Sequence, residues 1–215
     1  MNSRPLRVDG GGLPYLLKLP DRPESAPHPV LFFLHGYDEG APMPMEDALT
    51  LHGPLRTGNP GAALAPFIIV APQMPVRGDI WHRYANGVRA ILTNVLEQHG
   101  GDAQRAYITG FSFGGNGVFD LALLQPNTWA ALWAVDPTRV PERDPNAAVW
   151  LSFGEVARYR KRGFIQALGL EPAAQTTAAP RVYLDEGEDH VGSARLAYRD
   201  DRIYAWLLAQ RLGGP

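Results

Sequence analysis

The stretch that decides the fold is Ala106-Tyr107-Ile108-Thr109-Gly110-Phe111-Ser112-Phe113-Gly114-Gly115-Asn116-Gly117. A β-branched and aromatic run leads into Gly-x-Ser-x-Gly. Behind it Val118, Leu121, Ala122 and Leu124 recur at helical spacing. Strand, tight glycine turn, helix is the order of a nucleophile elbow. Such a turn lifts the serine hydroxyl clear of a sheet. It also points the next amide, that of Phe113, toward the place where an oxyanion forms, helped by the helix N-terminus.

Outward from this stretch, apolar runs alternate with helical patterns. Leu13–Leu19 reads as an early strand, followed by a proline-rich surface loop from Asp21 to Pro29. Val30-Leu31-Phe32-Phe33-Leu34 and Phe67-Ile68-Ile69-Val70-Ala71 are continuous apolar runs, suited to strands buried on both faces. Ala85, Val88, Ile91, Leu92, Val95 and Leu96 predict a helix stopped by Gly100-Gly101. After the serine come Trp129–Val135, Ala148–Phe153 and Arg181–Leu184 as strands. One closing helix is marked by Leu196, Ile203, Trp206 and Leu207. Strands alternating with helices predict a doubly wound, mainly parallel α/β sheet in a single domain over residues 1–215. Ligands in such folds bind at the carboxyl ends of the strands. His35, Tyr37, Ser112, Asp136, Glu155 and His190 all follow predicted strands on that edge.

Composition narrows the chemistry. The chain has 215 residues, 45% hydrophobic and 20% charged, with net charge −2, which points to no nucleic-acid partner and no anionic membrane surface. It has no cysteine, which excludes thiol catalysis, disulfides and cysteine zinc sites. No metal spacing is present and no cofactor is expected. With no apolar signal core behind Met1, the expected compartment is the cytoplasm.

A serine nucleophile needs a base, and the base an orienting carboxylate. Of the six histidines, His190 stands beyond the elbow in the order serine, acid, histidine. It lies in the loop Glu188-Asp189-His190-Val191-Gly192. Two carboxylates compete for the third place. Asp136 ends the strand after the nucleophile strand and is preferred. Glu155 lies in the loop Gly154-Glu155-Val156-Ala157 one strand further on. The loop His35-Gly36-Tyr37 suits a second oxyanion donor, the amide of Tyr37, with His35 bracing the loop. Trp81 and His82 are candidates for the cleft lining or for plain packing. Arg158-Tyr159-Arg160-Lys161-Arg162 reads as a solvated basic helix face. The acidic cluster Asp185, Glu186, Glu188 and Asp189 matches no calcium loop.

Together, Pro29–Gly36, Val70-Ala71-Pro72-Gln73, Trp81 and Arg105–Gly115 resemble the α/β-hydrolase superfamily. The nearer likeness is to its small carboxylesterases, the peptidase-like, feruloyl-esterase and polyhydroxybutyrate-depolymerase-like group. The resemblance runs from about Pro29 to Gln210. It implies Ser112 as nucleophile, His190 as base, and the amides of Tyr37 and Phe113 as oxyanion donors. Most of this fold places its acid in a Gly-x-x-Asp loop, and here Ala157 occupies the aspartate position. The short connection from Pro137 to Asn146 has no room for a lid. The expected activity is hydrolysis of small carboxylic esters. A serine peptidase or thioesterase, or an inactive binding protein on the same scaffold, are the alternatives.

Overall fold

The computed structural model describes residues 4–9, 12–21, 27–174 and 178–213. Among the described residues nine strands form one mixed sheet. At one edge β1 (Leu6–Val8) and β2 (Tyr15–Lys18) run antiparallel, and β2 pairs antiparallel with β4 (Ile68–Pro72). From β4 onward every neighbour is parallel: β3 (His28–Leu34), β5 (Gly101–Phe111), β6 (Ala131–Val135), β7 (Ala148–Phe153), β9 (Arg181–Asp185) and the two-residue β8 (Glu171–Pro172). The spatial order is β1-β2-β4-β3-β5-β6-β7-β9-β8.

The continuous apolar runs are the central strands, because both faces of the sheet are covered. Within β3, Leu31 and Phe33 enter one apolar cluster while Val30, Phe32 and Leu34 enter the other. The first face packs against α1 (Met45–Leu51), α7 (His190–Ala197) and α8 (Asp201–Ala209). The second packs against α3 (Ala85–Gln98), α4 (Phe113–Leu124) and α6 (Lys161–Leu168). Short α2 (Gly61–Leu64) and α5 (Glu155–Arg158) complete the helices, and a 3₁₀ turn spans Trp81–Tyr84. Trp133 on β6 anchors the first face, its ring 4.6 Å from Tyr198 and 5.4 Å from Tyr204. Burial of aromatic side chains this large contributes roughly 1.5–3 kcal/mol each.

Several expectations are corrected. The closing helix is two helices, because the Asp200 carboxylate accepts from Arg202 N at 3.1 Å and starts α8 afresh. His190 is the first residue of α7 rather than part of a loop, with Asp189 capping that helix through Gly192 N at 2.6 Å. His28 and Pro29 belong to β3, so the proline-rich loop is shorter than Asp21–Pro29; residues 22–26 of it lie outside the described residues. The basic run is not simply solvated. Arg158 and Lys161 pair with Asp185 at 2.9 and 3.0 Å, and Lys161 Nζ lies 5.0 Å from the Tyr183 ring centre.

Chain order reverses direction across the sheet between β3 and β5. From β3 the chain crosses to β4 on one side, then returns to β5 on the other. That switch point opens a crevice at the carboxyl ends of the strands. The connection from Asp136 to β7 carries no helix or strand. No helix among the described residues is long and apolar enough to cross a membrane.

Candidate active site

Ser112 sits in the turn between β5 and α4 with φ 57° and ψ −117°, a backbone state rarely held by a side-chain-bearing residue. The turn is locked from both sides. Ser112 N donates to Val135 O at 2.9 Å, and Asn116 N donates to Ser112 O at 3.1 Å. Gly114 is obligatory: a Cβ there would collide with the carbonyl of Leu34.

Asp136 also holds a positive φ, 42°. Its carboxylate is fully buried and accepts a set of bonds rather than one. Gly154 N and Ala157 N donate to Oδ1 at 3.0 and 2.7 Å, and Val156 N donates to Oδ2 at 3.3 Å. His190 Nδ1–H donates to Oδ2 at 2.6 Å. The loop that lacks an aspartate at Ala157 therefore supplies amides to a carboxylate from the neighbouring strand. Gly154 leaves the space for it, since a Cβ at that position would lie 2.5 Å from Asp136 Oδ2. Glu155 begins α5, is exposed, and forms no hydrogen bond to His190.

With Nδ1–H committed to Asp136, the free Nε2 of His190 is the basic nitrogen of the ring. Ser193 Oγ donates to His190 O at 2.7 Å and fixes the first turn of α7. The ring packs on Phe111, the residue before Ser112, with centroids 4.6 Å apart. Among the described residues, Ser112 Oγ and His190 Nε2 share no hydrogen bond. Asn116 ties α4 to the segment behind Asp136: its Nδ2 donates to Thr138 Oγ1 at 2.7 Å, and its Oδ1 accepts from Thr138 N at 2.9 Å.

The opposite wall is the loop after β3. His35 is buried and neutral. Its Nε2 accepts from Met74 N at 3.0 Å, its Nδ1–H donates to Gly36 O at 2.7 Å, and desolvation lowers its pKa to about 4. Trp81 Nε1 donates to His35 O at 3.0 Å from a fully buried site, so Trp81 is a brace, while His82 is exposed. Gln73 Nε2 holds two further carbonyls of this loop, Glu39 O at 3.0 Å and Met43 O at 2.8 Å. No hydrogen bond among the described residues uses the N–H of Tyr37 or of Phe113. Their rings meet edge-on at 5.0 Å, which brings the two segments together at the cleft rim. Two residues of this site went unread in the sequence: Glu39 and His52, both near His190. Their signal was weak, a glutamate three places after Gly36 and a histidine just past α1.

No group of three His, Cys, Asp or Glu among the described residues is placed to hold a metal ion. No protein-family model matches the chain, and no curated protein sequence does. Solved structures do match. A thermostable esterase superposes with TM-score 0.73 and 20% identity over 98% of this chain, which spans 63% of that esterase's length. A Staphylococcus aureus fluorophosphonate-binding serine hydrolase, FphF, gives 0.69 and 14% over 95% of this chain and 97% of its own. The feruloyl esterase module of Clostridium thermocellum gives 0.68 and 14%, covering 94% and 87%. The fold is the α/β-hydrolase fold, mainly parallel and doubly wound.

Proposed function

We propose that the protein is a serine carboxylesterase acting on small carboxylic esters. The observation that carries this reading is the 2.6 Å bond from His190 Nδ1 to buried Asp136, next to a serine in a strained strand-to-helix turn. Esterase and serine-hydrolase neighbours of the same fold agree with it.

In this reading Ser112 Oγ attacks the ester carbonyl carbon while its proton passes to His190 Nε2. The carbonyl oxygen becomes an oxyanion held by the amides of Tyr37 and Phe113. The C–O bond to the alcohol then breaks, and the imidazolium returns its proton to the leaving oxygen. Water, deprotonated by the same ring, attacks the acyl-enzyme and releases the acid and Ser112. Asp136 stays ionised throughout and steadies the imidazolium. The chemistry calls for no cofactor, nucleic acid or membrane.

Ser112→Ala is expected to cost on the order of 10⁶ in kcat on p-nitrophenyl acetate. A fluorophosphonate should label the native protein at Ser112 and leave the variant unmarked. Turnover by the folded variant within tenfold of the native rate rejects the mechanism. Parallel assays on a thioester and a peptide amide decide among the leaving groups.

A further inference from the structure

Glu39 is a buried carboxyl group that the hydrolytic steps above leave unused. It belongs to the loop after β3, and its side chain is 7% exposed. Its Oε2 is sealed from solvent and has no hydrogen-bond partner. That oxygen lies 2.8 Å from where a Cβ on Gly36 would stand, and the same point is 3.6 Å from Ser112 Cβ. The carboxyl group is thus seated against Gly36 of the oxyanion loop, near the nucleophile turn. Gly36 lacks a side chain where Glu39 needs the room.

His52 stands behind Glu39, its Nε2 3.7 Å from Oε1 and its Nδ1 buried without a partner. The His52 ring packs on one side of Phe111 at 4.8 Å, and Phe111 reaches the His190 ring at 4.6 Å. Three titratable side chains from three elements therefore gather around Phe111, Glu39 and His52 largely buried and His190 partly exposed. Their charges are felt mutually. Burial and Asp38 raise the Glu39 pKa, while its own backbone, Gly36 and His190 act the other way. Burial lowers His52 to about 4, and Arg56, His190 and Arg195 push in the same direction. His52 is therefore uncharged wherever an esterase of this kind works. Of the pair, Glu39 is the group that carries a negative charge when ionised. A buried carboxyl group with one oxygen, Oε2, left unpartnered is costly to keep and calls for a reason.

We propose that Glu39 is a positioning residue for ester hydrolysis, a second carboxylate that acts through His190. Its negative charge, beside the nucleophile turn, favours the imidazolium that forms as Ser112 gives up its proton. Asp136 orients the ring through Nδ1; Glu39 touches neither substrate nor ring and adds to the field that the ring experiences. Glu39 keeps its own proton count through the cycle. The titratable groups around His190 are Asp136, hydrogen-bonded to it from the end of β6, His52, whose ring packs on Phe111 as the His190 ring does, and Glu39, which meets His52 from the oxyanion loop.

The proposal rests on the serine-esterase reading, and the test separates the two. Glu39→Gln keeps the shape and removes the charge. The rising limb of the pH profile of kcat/KM, read with p-nitrophenyl acetate, should move down by about half a pH unit or more, because removing a nearby anion disfavours the imidazolium. kcat at neutral pH should fall about three- to tenfold, the size of a modest transition-state interaction, with KM changed less than twofold. The same downward shift should appear in the imidazole NMR titration of His190 in the resting protein. That second measurement stands even if no ester is turned over. An NMR titration of Glu39→Gln that superimposes on the native curve, or moves upward, overturns the proposal. A native protein that Ser112→Ala leaves unchanged in activity rejects the esterase reading instead. Glu39→Asp provides a check on folding: retaining the charge, it should recover most of the shift.

Discussion

The two halves of the proposed catalytic site are built by different rules. On the nucleophile side, the Ser112 turn is specified by its own neighbours in the chain. Gly110, Gly114 and a helix start within a few residues make the strained serine possible. On the acid side nothing is local. Asp136 comes from one strand end, the amides that hold it from the next, and the histidine from the start of α7 beyond β9. The nucleophile side is thus a motif, and the acid side a consequence of strand register. Asp136 reaches the β7 loop because β6 and β7 pair in parallel, Val135 opposite Ser152, with Asp136 N donating to Ser152 O at 2.8 Å.

The largest effect that separates the halves is expected at Asp136. Asp136→Asn should keep the fold and lose about 10⁴ in kcat, because an amide can favour the wrong imidazole tautomer. Glu155→Gln should cost well under tenfold, since its side chain is exposed at the start of α5. Kinetics of both folded variants on one activated ester decide it. The reverse pattern would move the acid role to Glu155 and break the comparison. Small effects in both variants would leave a dyad in which Asp136 only shapes the loop.

The nucleophile side has a pH weakness at His35. His35 is held neutral inside the β3 loop, where burial lowers its pKa from the ordinary 6.5 to about 4. A lowered histidine pKa means that protons bind the unfolded chain more readily. The stability it represents is complete above about pH 6.5 and drains away as pH falls through about 4. At about 1.4 kcal/mol per pH unit, that is about 3 kcal/mol. His52, also lowered to about 4, adds in the same direction. Denaturant midpoints should therefore drop between pH 6.5 and pH 4, and less steeply in His35→Gln. Equal slopes for the two proteins would show that the His35 site opens before it is protonated.

Gly154→Ala probes the acid side more gently. The added methyl group would meet Asp136 Oδ2 at 2.5 Å and also the Ser193 hydroxyl, and neither is a free chain end. The carboxylate must shift, lengthening its bond to His190. A misplacement of this kind costs up to about 10² in rate, so kcat is expected to fall about ten- to a hundredfold while KM holds. An unchanged kcat would mean that the clamp on Asp136 has slack.

This contrast also explains what the sequence made legible. The central strands were plain because burial on both faces leaves an unbroken apolar run, as in Val30–Leu34. The elbow was plain because its glycines are adjacent in the chain. Asp136 and Glu155 are both carboxylates just past a strand end, and which one meets a histidine is a matter of sheet register that no local pattern carries. Glu39 and His52 were invisible for the same reason. Their burial comes from α1, β5 and α7 converging on Phe111. The single closing helix failed on one side-chain cap: Asp200 restarts the backbone within an otherwise continuous apolar pattern. Trp81, a possible cleft residue by position, became a brace because its indole N–H finds the His35 carbonyl.

The smallest expected effect concerns where the substrate lies between the halves. The connection from Asp136 to β7 carries no helix, so nothing from the acid side folds over the crevice. On the nucleophile side the rim is the Tyr37–Phe113 edge pair, and Tyr37 is still 47% exposed. A short acyl group can rest against these rings. A longer chain must run out past them into water, and each methylene left there forgoes about 0.8 kcal/mol, roughly a factor of four in kcat/KM. Across p-nitrophenyl esters from acetate to decanoate, kcat/KM should therefore rise over the first few carbons and then level off or fall. Tyr37→Ala should flatten even the early rise, because the ring is what those first carbons touch. A kcat/KM that climbs by a constant factor to ten carbons would require an apolar wall longer than this rim, supplied by neither half of the site.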